Sequence, residues 1–258
     1  MQVTDFTLDA FSLVGRRALV TGGNTGLGRA FTVALARAGA DIFVVSLDDD
    51  ARETEKLVTD CGRRYAYLHA DLTARGMPTE VLDQCVAELG GIDILVNSAG
   101  ICLVADAEEF DRAEWDPMVA VNLTAAFELS RAASREMVKQ GSGKIINIAS
   151  LFSFLGGRQS PAYAASKAGI VGFTKAYCDE LAEQNVQVNA IAPGYFSTAI
   201  TTATRSNSEL NRRIVEHIPA GRWGDPADLM GATVFLASRA SDYVNGHVLV
   251  VDGGYLVR

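Results

Sequence analysis

Apolar residues fall along this chain in two alternating rhythms. Short, nearly unbroken apolar runs lie at 16–21, 41–47, 64–71, 92–100, 143–150, 186–194 and 246–254. Between them, apolar positions recur every three or four residues. After the first run, Leu27, Ala30, Phe31, Ala34, Leu35 and Ala38 share one helical face, and Gly39 stops the helix. Helical stretches follow at 51–62, 78–90, roughly 108–139, 161 to about 184, and 226–238. Runs that do not alternate with polar residues belong to strands covered on both faces, and strands alternating with helices build a parallel sheet. The pattern predicts an α/β fold: one doubly wound parallel β-sheet of about seven strands with helices on both faces. One domain is expected over 1–258, without linker, repeat or low-complexity segment. Residues 195–224 break the rhythm, being polar and irregular, and are expected to form a substrate lid.

Composition narrows the partners. The 258 residues are 48% hydrophobic, enough for a sizeable core, and their net charge is −8. Basic residues cluster only as pairs (Arg16–Arg17, Arg63–Arg64, Arg212–Arg213), so no nucleic-acid partner is expected. Cys61, Cys85, Cys102 and Cys178 share no C-x-x-C spacing and read as incidental thiols. His69, His217 and His247 are scattered, so no metal site is expected, and Asp48–Asp50 read as a solvated loop. The first fifteen residues lack a basic, signal-like start, and no apolar run reaches the length of a membrane span. The expectation is a cytoplasmic protein with no membrane partner.

Between the first strand and first helix lies TGGNTGLG, residues 21–28, with Gly22, Gly26 and Gly28. Its spacing differs from G-x-G-x-x-G, but the physics is shared. Glycines let the backbone turn tightly and bring a pyrophosphate to a helix N-terminus. The strand–turn–helix context favours nucleotide binding over an ordinary turn and makes the fold Rossmann-type. At the end of the second strand an acidic residue would select NAD and an arginine NADP. Ser46 stands there, Asp48 follows, and no basic side chain lies at 46, 47 or 22–28. NAD is the expected cofactor, NADP the alternative.

Tyr163 and Lys167 lie four apart within YAASK, one above the other on a helix, with only small residues between. Alone, the pair could be a solvated or closely packed helix face. Together with TGGNTGLG, ADL (70–72), NSAG (97–100), Asn122, Ser150, PGYFST (193–198) and VDGG (251–254), it makes the chain resemble the short-chain dehydrogenase/reductase family over essentially its whole length. Ser98 departs from the family's usual second asparagine.

The resemblance implies a catalytic tetrad of Asn122, Ser150, Tyr163 and Lys167. Tyr163 would exchange the proton, and the Lys167 cation would lower its phenol from the ordinary value of about 10. Ser150 would hold the reacting oxygen, and Asn122 would anchor a proton-passing water. Simpler readings stay open: a strand cap for Ser150, a helix kink for Asn122. The resemblance places the cofactor on Gly22, Asn24, Gly26, Leu27, Gly28, Ser46, Asp71, Leu72, Asn97, Ala99, Gly100, Tyr163, Lys167, Pro193, Gly194, Phe196 and Thr198. Asp71 could instead cap the next helix, and Thr198 could simply form a turn.

Residues 145–157 and 218–246 resemble 2-dehydro-3-deoxy-D-gluconate 5-dehydrogenases, a sugar-acid branch of that family. The implied activity is oxidation or reduction between a secondary alcohol and a ketone on an anionic sugar acid. Gluconate, a polyol or a 3-oxoacyl thioester are alternative substrates, and a dinucleotide-sensing protein is the non-enzyme alternative. Substrate contacts are expected from Ser150, Tyr163 and two carboxylate-clamp candidates, Arg158 and Arg205. The arginines could equally pair with Glu209, Glu216 and Asp225. Family members usually pair subunits, which implies a homotetramer.

Overall fold

The computed structural model describes residues 7–48 and 52–258. The expectations for the first six residues, and for Asp49 and Asp50, lie outside the described residues. Seven strands form one sheet: β1 (Arg17–Thr21), β2 (Asp41–Ser46), β3 (Tyr65–His69), β4 (Ile94–Asn97), β5 (Gly143–Ile148), β6 (Val186–Pro193) and β7 (Val248–Val251). Their order is β3-β2-β1-β4-β5-β6-β7, every pair parallel. The order reverses between β1 and β4, and open sheets bind ligands above such a switch point.

Alternate residues of each strand feed two apolar layers. Ala18, Val20, Ile42 and Val44 pack with Phe31 and Leu35 of α1 (Gly26–Ala38), Val58 of α2 (Arg52–Thr59) and Leu236 of α9 (Met230–Ala237). On the other face, Leu19, Phe43 and Leu95 meet Val81 and Cys85 of α3 (Met77–Leu89), and Leu129 and Met137 of α5 (Ala126–Gln140). Ile170 of α6 (Pro161–Leu181) covers Ala190 and Ala192 of β6. The four cysteines are free thiols. Among the described residues, no helix is long and apolar enough to cross a membrane. No group of three or more His, Cys, Asp or Glu among them could hold a metal ion.

Two predicted elements differ. The helix expected over 108–139 starts at Arg112, where Asp111 caps α4 (Arg112–Val119), and passes through a π-helical segment at Ala120–Ala125 before α5. The segment expected to be irregular over 195–224 contains α7 (Thr202–Ser206) and α8 (Ser208–His217). Only Ile214 of α8 is buried, so apolar periodicity could not reveal it. Asn207 caps its start at 3.0 Å, and Arg212 pairs with Glu209 and Glu216 at 2.9 and 2.8 Å.

Candidate active site

A cleft of about 510 Å³ opens at the carboxyl ends of β1, β2, β4, β5 and β6. Its floor is the glycine turn. Gly22 has φ +62°, a left-handed conformation that suits glycine, and a Cβ on Gly28 would overlap the Gly22 carbonyl oxygen. Helix α1 begins at Gly26 without a side-chain cap, which leaves its first N–H groups directed at an anion. A steric cradle and an uncapped helix N-terminus fit the diphosphate of a dinucleotide. Facing the turn, Thr21 Oγ1 accepts from the backbone N–H groups of Ser98 and Ala99 at 2.9 and 2.8 Å. The backbone of the NSAG turn is thus held without a second asparagine.

At the β2 end, Ser46, Leu47 and Asp48 line the wall. The Ser46 hydroxyl accepts from Asp48 N at 3.2 Å, and Tyr67 donates its phenol to the Asp48 carbonyl. Asp71 and Leu72 also line the cleft. Asp71 does not cap α3, whose N-cap is Gly76. Its carboxylate accepts from Thr73 N and Oγ1 at 2.9 and 2.7 Å, which holds it below the usual carboxylate range.

At the β5 end, Ser150, Tyr163 and Lys167 converge on the cleft wall. Lys167 is buried and donates to the Ile148 carbonyl at 2.7 Å, its Nζ 5.6 Å from the Tyr163 ring centroid. Burial pushes this ammonium down to about 8, although negative charge on Cys102 would raise it. The phenol shifts the opposite way from the ammonium. Burial pushes Tyr163 up to about 12 and negative charge on Cys102 pushes the same way, while a hydrogen bond with Ser150 pulls it back. Desolvation is the largest of these effects, so the phenol rests protonated. Ser150 also caps the short turn Leu151–Ser153, accepting from Phe152 N at 3.2 Å. Asn122 occupies the π-helical segment. Its Oδ1 accepts from Ile101 N and its Nδ2 donates to Ile101 O, both at 2.8 Å, fixing the irregular segment that leaves the NSAG turn.

Some expected residues stand apart from the cleft wall. Asn24 is fully buried and Nδ2 donates to the Asp48 carbonyl at 3.4 Å. Asn97 is buried beneath the cleft and Nδ2 donates to Ser130 Oγ and Asn147 Oδ1, each at 2.8 Å. Both amides hold the scaffold. Arg205 turns back to donate to the Thr198 carbonyl at 3.0 Å, and Arg158 is exposed, so neither lines the cleft. Arg222 pairs with Asp228 at 2.7 Å. The structure brings in Thr25, Cys102 and Ile200, which motif reading did not single out. Pro193, Gly194, Phe196 and Thr198 form the opposite wall. Thr198 also lies in a turn, its N–H donating to Thr201 Oγ1 at 3.1 Å.

A family model described as enoyl-(acyl carrier protein) reductase matches residues 22–256. The chain belongs to the short-chain dehydrogenase/reductase family. It is 59% identical to the uncharacterized oxidoreductase YgcW of Escherichia coli K12, covering 98% of this chain and 97% of that one. It is 49% identical to the 2-dehydro-3-deoxy-D-gluconate 5-dehydrogenase of the same organism, over 97% and 99%. The crystal structure of a gluconate 5-dehydrogenase from Burkholderia cenocepacia J2315, in complex with NADP and tartrate, is 38% identical over 97% and 99%, with a TM-score of 0.93. The enzyme is a nicotinamide-dinucleotide-dependent oxidoreductase.

Proposed function

We propose that this dehydrogenase interconverts a secondary alcohol and a ketone on a sugar acid of the gluconate type, with NAD, as a 2-dehydro-3-deoxy-D-gluconate 5-dehydrogenase. The observation that carries the chemistry is the convergence of Ser150, Tyr163 and Lys167 at the carboxyl end of β5, beside the glycine turn. A bound nicotinamide dinucleotide supplies or accepts the hydride. Tyr163 donates its phenolic proton to the reacting oxygen during reduction and takes it back during oxidation. Ser150 donates a hydrogen bond to the same oxygen and steadies its developing charge. Buried Lys167 holds positive charge over the Tyr163 ring, which favours the phenolate formed after proton transfer. Asn122 keeps the wall beside Ile101 in place and anchors a water that relays protons to Lys167.

NAD is supported by the charge of the wall. Lys167 is the only cation among the described lining residues, and Asp48 stands at the β2 end. A 2′-phosphate there would face a carboxylate without a counter-charge. NADP, bound in the Burkholderia neighbour, is the second reading.

The sugar-acid reading is supported by the names of the relatives. Arg158 is the candidate clamp although it stands outside the cleft wall, because it is exposed five residues before Tyr163 and has no partner among the described residues, whereas Arg205 is engaged by Thr198. Residues 195–224 act as the lid. Their stems meet where Phe196 bridges Gly224, and Ser197 N donates to the Gly224 carbonyl at 2.9 Å. The test compares 2-dehydro-3-deoxy-D-gluconate with its uncharged alcohol analogue. A preference for the acid that Arg158→Met reduces, chiefly through KM, is the expected result. Equal wild-type activity on both compounds would refute the sugar-acid assignment in favour of a polyol.

A further inference from the structure

At the opposite edge of the sheet, below the amino ends of β4, β5 and β6, lies a second cavity of about 180 Å³. Arg16, Asp93, Lys144, Gln187, Arg239 and Asp242 line it. Lys144 is 8% exposed and Gln187 6%, so a nearly buried ammonium and a nearly buried amide share the space. Asp93 is already covered. It accepts from Arg17 N at 2.9 Å, Arg17 Nε at 2.7 Å and Arg16 Nη1 at 3.3 Å. Asp242 holds Lys144 at 2.8 Å, but its side chain is 56% exposed and can swing to solvent. Arg239 is exposed and has no partner among the described residues. Three cations therefore face one cavity, against one carboxylate shared among several donors and one at the rim. Arg16 also opposes the positive charge on Lys144, so the two cations feel each other across the space.

The geometry points to a second ligand site, taking a small multivalent oxyanion such as phosphate between Arg16, Lys144 and Arg239. An anion there replaces the Lys144–Asp242 contact with charge-assisted hydrogen bonds from two guanidinium groups and an ammonium. The cavity has room for several waters, and so for a tetrahedral anion that keeps part of its hydration. None of these residues touches the catalytic cleft, so the site would act on stability and not on the chemistry.

The test is calorimetric titration of inorganic phosphate into enzyme saturated with NAD, against sodium chloride at matched ionic strength. Saturation fills the catalytic cleft, where the α1 N-terminus would otherwise compete for phosphate. Saturable binding at one site per chain is expected. Arg239→Gln, an exposed position whose change leaves folding and dehydrogenase activity intact, should weaken it at least roughly tenfold through loss of a charge-assisted hydrogen bond. Lys144→Met should abolish it, with circular dichroism confirming the fold. Heats no larger than those of chloride, unchanged affinity in Arg239→Gln, or binding that disappears on NAD saturation would each overturn the proposal.

Discussion

Tyr163 and Lys167 concentrate the chemistry into two side chains whose ionisation the fold shifts in opposite directions. Tyr163→Phe keeps the ring, and its edge contact with Phe152 at 5.9 Å, but removes the transferable proton. Turnover should fall at least ~100-fold with cofactor affinity retained, and near-full activity would remove Tyr163 from the mechanism. For Lys167, the folded value of about 8 lies below the unfolded 10.5. Between those values the unfolded chain binds more protons, so this group's contribution to stability grows as pH rises from about 8 and is lost as pH falls back through it. The wild type should therefore gain stability over Lys167→Met between pH 8 and 10.5, on the order of 3 kcal/mol in urea melts. A difference independent of pH would show that the ammonium is not desolvated. At the other end of the cleft, Asp48→Asn removes the carboxylate at the β2 end of the wall. It should raise the NADP-to-NAD ratio of kcat/KM, and an unchanged ratio would separate Asp48 from cofactor choice.

At the scale of elements, the glycine turn and the lid make contrasting demands. Gly28→Ala drives a methyl group into the Gly22 carbonyl and should weaken NADH binding at least roughly tenfold by titration. Arg212→Ala breaks only exposed pairs with Glu209 and Glu216 and should change KM less than about twofold. The same contrast explains what could be read from sequence. The strands were legible because both faces are covered, so Ile42–Val45 and Ile145–Ile146 are unbroken apolar runs. Helix α8 was not, because surface ion pairs and an Asn207 cap hold it instead of a buried stripe. That Tyr163 and Lys167 share one face of α6 was legible from spacing, since i and i+4 positions on a helix stack, whereas Asn122 and Ser150 came from the family resemblance. The scaffold use of Asn24 and Asn97 was not, because motif membership says nothing about which way an amide points. The raised phenol of Tyr163 was also hidden, since i,i+4 spacing reveals a neighbouring charge but not burial.

Across the whole molecule, two surfaces suit self-assembly. Strand β7 ends the sheet with half-buried residues, an edge that invites pairing. On α5 and α6, Phe127, Phe173 and Tyr177 pack edge to face, and Phe127 remains 39% exposed. A homotetramer using both surfaces is expected. Phe127→Asp should lower the mass found by light scattering, and a monomeric wild type at micromolar concentration would contradict the assembly. The proposed function of the molecule is oxidoreductase chemistry at Ser150, Tyr163 and Lys167. Its most direct test follows absorbance at the reduced-nicotinamide band, in wild type and Tyr163→Phe, with NAD or NADP and a panel of sugar acids and polyols. Turnover on a gluconate-type acid, faster with NAD and lost in Tyr163→Phe, is the expected result. Tight cofactor binding with no turnover of any compound by either dinucleotide would contradict it and leave a dinucleotide-sensing protein.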